Sequence, residues 1–177
     1  MGKLKVKSES EIIIGEYPFH KKLKDEVVSL LENYPDQQGR QSNVKATMTE
    51  WEWGEDIERV GRLKRFILEK AKAASDLGPY VPYNLRVVEF WANIYRKGDY
   101  ARSHDHIARD AFLSFAYFLK TEWYHPPFVF TWSGKKLKPK EGTFIIFPSH
   151  LKHHVAENKY EETRITLSGN LRLKEEK

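Results

Sequence analysis

From Asn84 onward the chain is written in short runs of β-branched and aromatic residues: "NLRVVEFWANIYRKG", "AFLSFAYFLK", "FVFTW", "GTFIIFP", "HHVAE" and "TRITLSGNLRL". Gly, Pro and charged turn residues separate them, which is the punctuation of many short strands. The texture before Asn84 is different. "HKKLKDEVVSLLENY" (His20 to Tyr34) sets Leu23, Val27, Leu30 and Leu31 at helical spacing. "GEDIERVGRLKRFILEKAKAASDL" (Gly54 to Leu77) sets Ile57, Val60, Leu63, Ile67 and Ala71 on one stripe, with Gly78-Pro79 as its stop. Helices followed by many short strands predict an α+β chain, a β-sandwich or jelly roll with N-terminal helices packed on one sheet. The 177 residues suit a single domain, with a helical part over about 1–80 and a jelly-roll core over about 84–172.

Composition narrows the chemistry. There is no cysteine, which excludes disulfides and thiolate metal sites and fits a reducing cytoplasm. A transition metal here must be held by histidine and carboxylate. No apolar run approaches the roughly 18 residues of a membrane span. The N-terminus "MGKLKVKSESEIIIGEY" has no apolar signal region, and Val6 stands where a myristoylation signal needs Ser or Thr. The net charge of +5 is compatible with an anionic partner such as nucleic acid. Acidic and basic residues are mixed along most of the chain, however, and the one basic cluster, "KKLKPK" (Lys135 to Lys140), reads as a solvated hairpin loop.

Two histidine clusters carry the chemistry, "SHDHIARD" (Ser103 to Asp110) and "FPSHLKHHV" (Phe147 to Val155). Side chains alternate along a strand, so in an extended segment His104 and His106 share a face and Asp105 points away. His153 shares a face with Val155, opposite His154. Two ligands from an early strand and one from a late strand make a facial site, with three protein ligands on one side of a metal and the other side open. A bulge at Asp105 would let the aspartate replace His106. Arg164, in "RITLS", is eleven residues beyond His153, and Arg164, Thr166 and Ser168 alternate onto one face, placing a carboxylate fork beside two hydroxyls. His125, His150 and His154 read as surface or loop histidines. Phe90, Trp91, Phe115, Tyr117, Phe118, Phe128, Phe130 and Trp132 are expected to line the barrel or pack its faces.

The ordered segments "WANIYRKG" (Trp91 to Gly98), "HDH" (His104 to His106), "LSFAYFL" (Leu113 to Leu119), "FPSHLKHHV" and "RITLSGN" (Arg164 to Asn170) resemble the 2-oxoglutarate/Fe(II)-dependent oxygenases. The likeness is to the prolyl-hydroxylase-like branch, among its uncharacterised phage and bacterial oxygenases. "QSN" (Gln41 to Asn43) adds a weaker likeness. The resemblance implies a cupin-like double-stranded β-helix with Fe(II) and 2-oxoglutarate as cofactors. It further implies hydroxylation of a C–H in a peptidyl or small-molecule substrate, with release of succinate and CO2. It makes His104 the first iron ligand, His153 the distal histidine, Arg164 the partner of the distal 2-oxoglutarate carboxylate, and Tyr95 a cosubstrate contact, with Thr166 beside it. Two positions depart from the pattern: His106 stands where the family has a carboxylate, and Phe115 where it has glycine. A nucleic-acid demethylase of the same superfamily is a competing reading, but the second arginine expected six residues after Arg164 is Asn170, and Arg172 is two places late. A three-histidine cupin-like dioxygenase without 2-oxoglutarate competes as well, and so does a non-catalytic jelly-roll binding module. The substrate has no motif of its own, and O2 and 2-oxoglutarate are the partners implied.

Overall fold

A computed structural model describes residues 9–36, 42–74 and 85–173. In chain order the elements are β1 (Ile13–Glu16), α1 (His20–Glu32), β2 (Val44–Lys45), β3 (Thr47–Met48), α2 (Glu58–Ala73), β4 (Leu85–Tyr95), β5 (Tyr100–His104), β6 (Leu113–Lys120), β7 (Phe128–Phe130), β8 (Lys136–Leu137), β9 (Thr143–Pro148), β10 (His153–Val155) and β11 (Arg164–Leu173). A short 3-10 helix covers Ile107–Arg109. The strands form a six-stranded sheet, β1-β9-β6-β11-β4-β3, and a five-stranded sheet, β2-β5-β10-β7-β8. Every ladder within them is antiparallel.

Both helices form where the apolar stripes predict them. Leu23, Val27 and Leu31 of α1 and Val60, Leu63, Ile67 and Ala71 of α2 are buried. Leu30, placed on the stripe, is 54% exposed: one residue from Leu31 is about 100° around the helix, off the buried face. Helix α2 starts at Glu58 rather than Gly54, because Gly54 adopts φ +75° and Ile57 is extended. Its stop at Gly78-Pro79 lies outside the described residues, as do the myristoylation position and Gln41.

The larger sheet separates two apolar layers by alternation. Phe90, Ala92 and Ile94 of β4, Leu113, Phe115, Tyr117 and Leu119 of β6, and Ile165 and Leu167 of β11 are buried with the helix residues. The intervening Tyr95, Ala116, Phe118, Ile145 and Phe147 pack instead with Ala101, Phe128, Phe130 and Val155 of the smaller sheet. The space between the sheets therefore receives Trp91, Asn93 and Tyr95 from β4, and Arg164, Thr166 and Ser168 from β11. Phe115 is accommodated because Gly169 lies opposite it: a Cβ on Gly169 would stand 2.5 Å from the Phe115 ring and 2.7 Å from the Glu89 carbonyl oxygen.

Two expectations for the aromatics and the basic run change. Trp132 is 75% exposed; it stands two residues beyond the end of β7, in the turn to β8. Lys136 and Leu137 of the basic run form the edge strand β8, paired to β7, and Lys140 bonds Glu16 at 2.6 Å.

Candidate metal centre

His104 ends β5, and His153 opens β10 directly across the ladder from it. His104 donates its Nδ1–H to the Arg102 carbonyl at 2.7 Å, and His153 donates its Nδ1–H to the Leu151 carbonyl at 2.9 Å. A carbonyl can only accept, so both rings are held as the tautomer with a lone pair on Nε2. His106 arrives by another route than strand alternation. The chain leaves β5 after His104, the Asp105 carboxylate accepts the Ile107 N–H at 3.3 Å, and His106 sits at φ −120°, ψ 18° ahead of the 3-10 helix. This turn swings the imidazole back, 5.2 Å from the His104 ring centroid and 5.3 Å from that of His153.

One nitrogen from each of the three histidines lies within 4.8 Å of the others, the only such grouping of potential metal-binding side chains among the described residues. With metal–nitrogen bonds near 2.1 Å, adjacent ligand atoms on one ion are about 3 Å apart, so the three rings would draw together by up to about 2 Å to share one. Asp105 lines the same cavity but is not in the group, its carboxylate being turned to the backbone. Phe128 stacks on His153 at 5.0 Å and Phe147 meets it edge-on at 5.0 Å, so the ring cannot swing away. Burial lowers the pKa of all three, with His104 adding to it at His106, which falls to about 4, and at His153. Neutral imidazoles at physiological pH are what a divalent ion requires. His125 is a contrast. It is a loop histidine but buried, its Nδ1 accepts the Glu122 N–H at 2.9 Å and its Nε2–H goes to the Glu162 carbonyl at 3.0 Å, leaving no lone pair for a metal.

A cavity of about 200 Å³ runs from these histidines between the sheets. Arg164, 1% exposed, stands at one end. Its Nη1 donates to the Pro126 carbonyl at 2.5 Å, and its guanidinium carbon is 5.6 Å from the ring centroids of both Tyr95 and Phe118. It makes no ion pair with the described residues, and its Nε and the Thr166 hydroxyl are buried without hydrogen-bond partners. Burial lowers the Arg164 pKa to about 10 and raises that of Tyr95 to about 12, so the guanidinium stays charged and the phenol neutral. A dry cation with an idle N–H, beside an idle hydroxyl, is a cradle shaped for a carboxylate. Further along, Trp91 Nε1–H donates to Asn93 at 3.2 Å, and Asn93 donates to Ser168 at 3.1 Å.

The N-terminal half supplies a wall the motifs did not announce. Ser42, Asn43, Val44, Met48 and Trp51 line the cavity, because β2 pairs with β5 and β3 with β4. "QSN" was the only hint of it. Arg172 is engaged elsewhere, its Nε–H on the Arg109 carbonyl at 2.8 Å.

Residues 131–170, which include His153, Arg164 and Thr166, match a family model described as "Putative 2OG-Fe(II) oxygenase". That stretch, under half of the chain, carries the signature of a dioxygenase-type oxidoreductase family that uses Fe(II) and 2-oxoglutarate. No curated protein matches it. Among solved structures, the chain is similar to a viral collagen prolyl hydroxylase from Paramecium bursaria Chlorella virus-1 in its 2OG complex, with a TM-score of 0.68 at 14% identity over 92% of this chain and 96% of that one. A Pseudomonas putida prolyl-4-hydroxylase gives a TM-score of 0.68 at 16% identity over 93% of each chain. A 2OG-Fe(II) oxygenase family oxidoreductase from Burkholderia pseudomallei gives 0.61 at 14% identity over 91% of this chain and 84% of that one. These likenesses concern the fold: two antiparallel sheets with helices. No helix among the described residues is long and apolar enough to cross a membrane.

Proposed function

We propose that the chain is one double-stranded β-helix domain with its N-terminal helices on the larger sheet. In this reading it hydroxylates a C–H of a peptidyl or small-molecule substrate, at the expense of 2-oxoglutarate and O2, with release of succinate and CO2. His104, His106 and His153 hold Fe(II). Arg164 binds the distal carboxylate of 2-oxoglutarate, Thr166 adds a hydroxyl donor, and Tyr95 walls the same end. The observation that carries this reading is the pair of buried idle donors, Arg164 Nε and Thr166 Oγ1, on the cavity that the three histidines line. A buried guanidinium without a counter-ion costs the fold several kcal/mol, and an anionic cosubstrate offsets that cost. A three-histidine dioxygenase that chelates its substrate directly leaves Arg164 with no such partner.

When bound, Fe(II) supplies the oxidising chemistry with O2 and 2-oxoglutarate. The protein's part is positioning and exclusion of water. The Arg102 and Leu151 carbonyls fix the tautomers of His104 and His153, Phe128 and Phe147 hold the His153 ring, and Arg164 sets the reach of the cosubstrate. The experiment is an anaerobic titration of the chain with Fe(II) and then 2-oxoglutarate, following the visible metal-to-ligand charge-transfer band. A band that needs both components and is lost in His104→Ala supports the reading. Bound iron with no band after 2-oxoglutarate overturns it in favour of the three-histidine dioxygenase.

A further inference from the structure

The segment that carries His106 is closed by a circuit of hydrogen bonds that begins and ends at His106 itself. Its backbone N–H donates to the Ser149 carbonyl at 3.0 Å. The Ser149 hydroxyl meets that of Ser114 at 2.9 Å, and Ser114 donates to Asn170 Oδ1 at 2.8 Å. Asn170 Nδ2 donates to Glu89 Oε2 at 2.5 Å, Arg109 Nη1 donates to Glu89 Oε1 at 3.0 Å, and the Arg109 backbone N–H returns to the His106 carbonyl at 3.1 Å. Since a carboxylate only accepts, Glu89 fixes which way the Asn170 amide faces. Ser114, Ser149 and Asn170 are almost completely buried, at 2%, 1% and 0% exposure.

We propose that Ser114, Asn170, Glu89 and Arg109 are positioning residues for His106, fixing from both sides of its backbone the one histidine of the three that no strand holds. The inference rests on the reading of the histidines as a metal centre. His104 and His153 are locked by ladder pairing and by an Nδ1–H bond each. His106 has neither. Its ring makes no hydrogen bond to the described residues and meets the rings of His104, His153 and Trp91. An imidazole replacing a carboxylate at this position brings no charge attraction for a cation, so its placement must come from the backbone, and the circuit fixes that backbone at the N–H and at the carbonyl. Asn170 is its centre, because it satisfies Ser114 and Glu89 at once. A buried polar network that is fully satisfied rigidifies, and opened at one member it leaves unpaired groups.

The test uses Co(II) as the probe, titrated into the full chain and read by its ligand-field absorption, which reports coordination geometry as well as affinity. Asn170→Leu is expected to weaken Co(II) by about tenfold or more, within the 10–100-fold typical for groups that orient a ligand, and to alter the band pattern. Ser114→Ala opens the circuit with little change of volume and is expected to act in the same direction; it serves as the second variant if Asn170→Leu does not fold. Ser114→Thr retains the hydroxyl and is expected to restore wild-type binding. The decisive comparison is a double-mutant cycle. In a His106→Ala background, Asn170→Leu or Ser114→Ala should weaken Co(II) no further. Equal weakening in both backgrounds means a general structural role and overturns the proposal, as does unchanged affinity and spectrum in both circuit variants. Failure of wild-type chain to bind Co(II), or equal binding by His104→Ala, overturns the metal-centre reading and the proposal with it.

Discussion

Arg164→Met separates function from folding because the two effects should have opposite signs. Methionine fills much of the arginine's volume and carries no charge. In the cosubstrate-free protein Arg164 is fully buried and its pKa falls from the ordinary 12.5 to about 10, with desolvation as the largest cause. A fall of that size corresponds to about 3 kcal/mol by which the folded state disfavours the guanidinium relative to water. At pH 7 the arginine is charged in both the folded and unfolded chains, so this cost is borne in full. The bond from Nη1 to the Pro126 carbonyl, worth about 1.5–3 kcal/mol for a charged donor, offsets much of it. Arg164→Met removes both, so the net change in unfolding free energy lies between about zero and 2 kcal/mol of stabilisation. Binding moves the other way. Truncating one partner of a desolvated charge pair costs about 2–5 kcal/mol, a loss of ~30-fold or more in 2-oxoglutarate affinity. Urea unfolding of the metal-free protein and calorimetric titration of 2-oxoglutarate into the Mn(II)-loaded protein measure the two sides, with Mn(II) affinity retained or raised by loss of the buried positive charge. Unaltered cosubstrate affinity refutes the carboxylate assignment. A metal-free variant destabilised by several kcal/mol shows that the arginine is a structural anchor for the 121–127 loop, and the same cost argument fails.

Asp105→Ala should leave metal affinity within about twofold, because its carboxylate faces the Ile107 N–H, whereas His106→Ala should lower it strongly; the reverse order in a metal titration makes Asp105 the ligand. Thr166→Val should leave the cosubstrate-free melting temperature unchanged or raised, since the hydroxyl is unpartnered there, and should weaken 2-oxoglutarate several-fold by calorimetry. Gly169→Ala sets a Cβ 2.5 Å from Phe115 and 2.7 Å from the Glu89 carbonyl oxygen and should cost about 1–3 kcal/mol; wild-type denaturant stability would show that β4 and β6 yield more easily than their packing implies. Burial holds the pKa of each of the three site histidines below the usual 6.5, with His106 at about 4. Below 6.5 the unfolded chain takes up protons that the folded chain refuses, so metal-free protein should keep its stability above that pH and lose it as pH falls towards 4. The check is its melting temperature across that window, and a flat profile counts against buried neutral imidazoles.

What was legible in the sequence was what local periodicity controls. Alternation from Arg164 to Ser168 puts those residues on the cavity side with no knowledge of partners, and the same rule works for Trp91, Asn93 and Tyr95 on β4. It fails where the backbone turns. The face-sharing of His104 and His106 follows only from an extended chain, but β5 ends at His104 and a turn delivers His106. Residues whose setting is fixed by distant chain were harder still. β1 is only four residues long, and β9, its pairing partner, comes about 130 residues later. Trp51 reaches the cavity because the neighbouring β3 joins β4. His125 is buried because its loop folds back on the Glu162 carbonyl, a contact no window around His125 contains.

The departure at His106 changes the charge balance of the cavity. Three imidazoles bring no negative charge to a divalent ion, and Arg164 adds a buried positive one a short way down the same cavity. Neither nearby carboxylate compensates: Asp105 faces the backbone, and Glu89 is committed to Arg109 and Asn170. The cavity is therefore more cationic than one with a ligating carboxylate, and its demand for an anion is correspondingly greater. A dicarboxylate with one end for the metal and the other for Arg164 meets both positive centres together. On the proposed reading, metal and 2-oxoglutarate would each raise the affinity of the other, and His106 in place of a ligating carboxylate would make cosubstrate part of what keeps metal in the site.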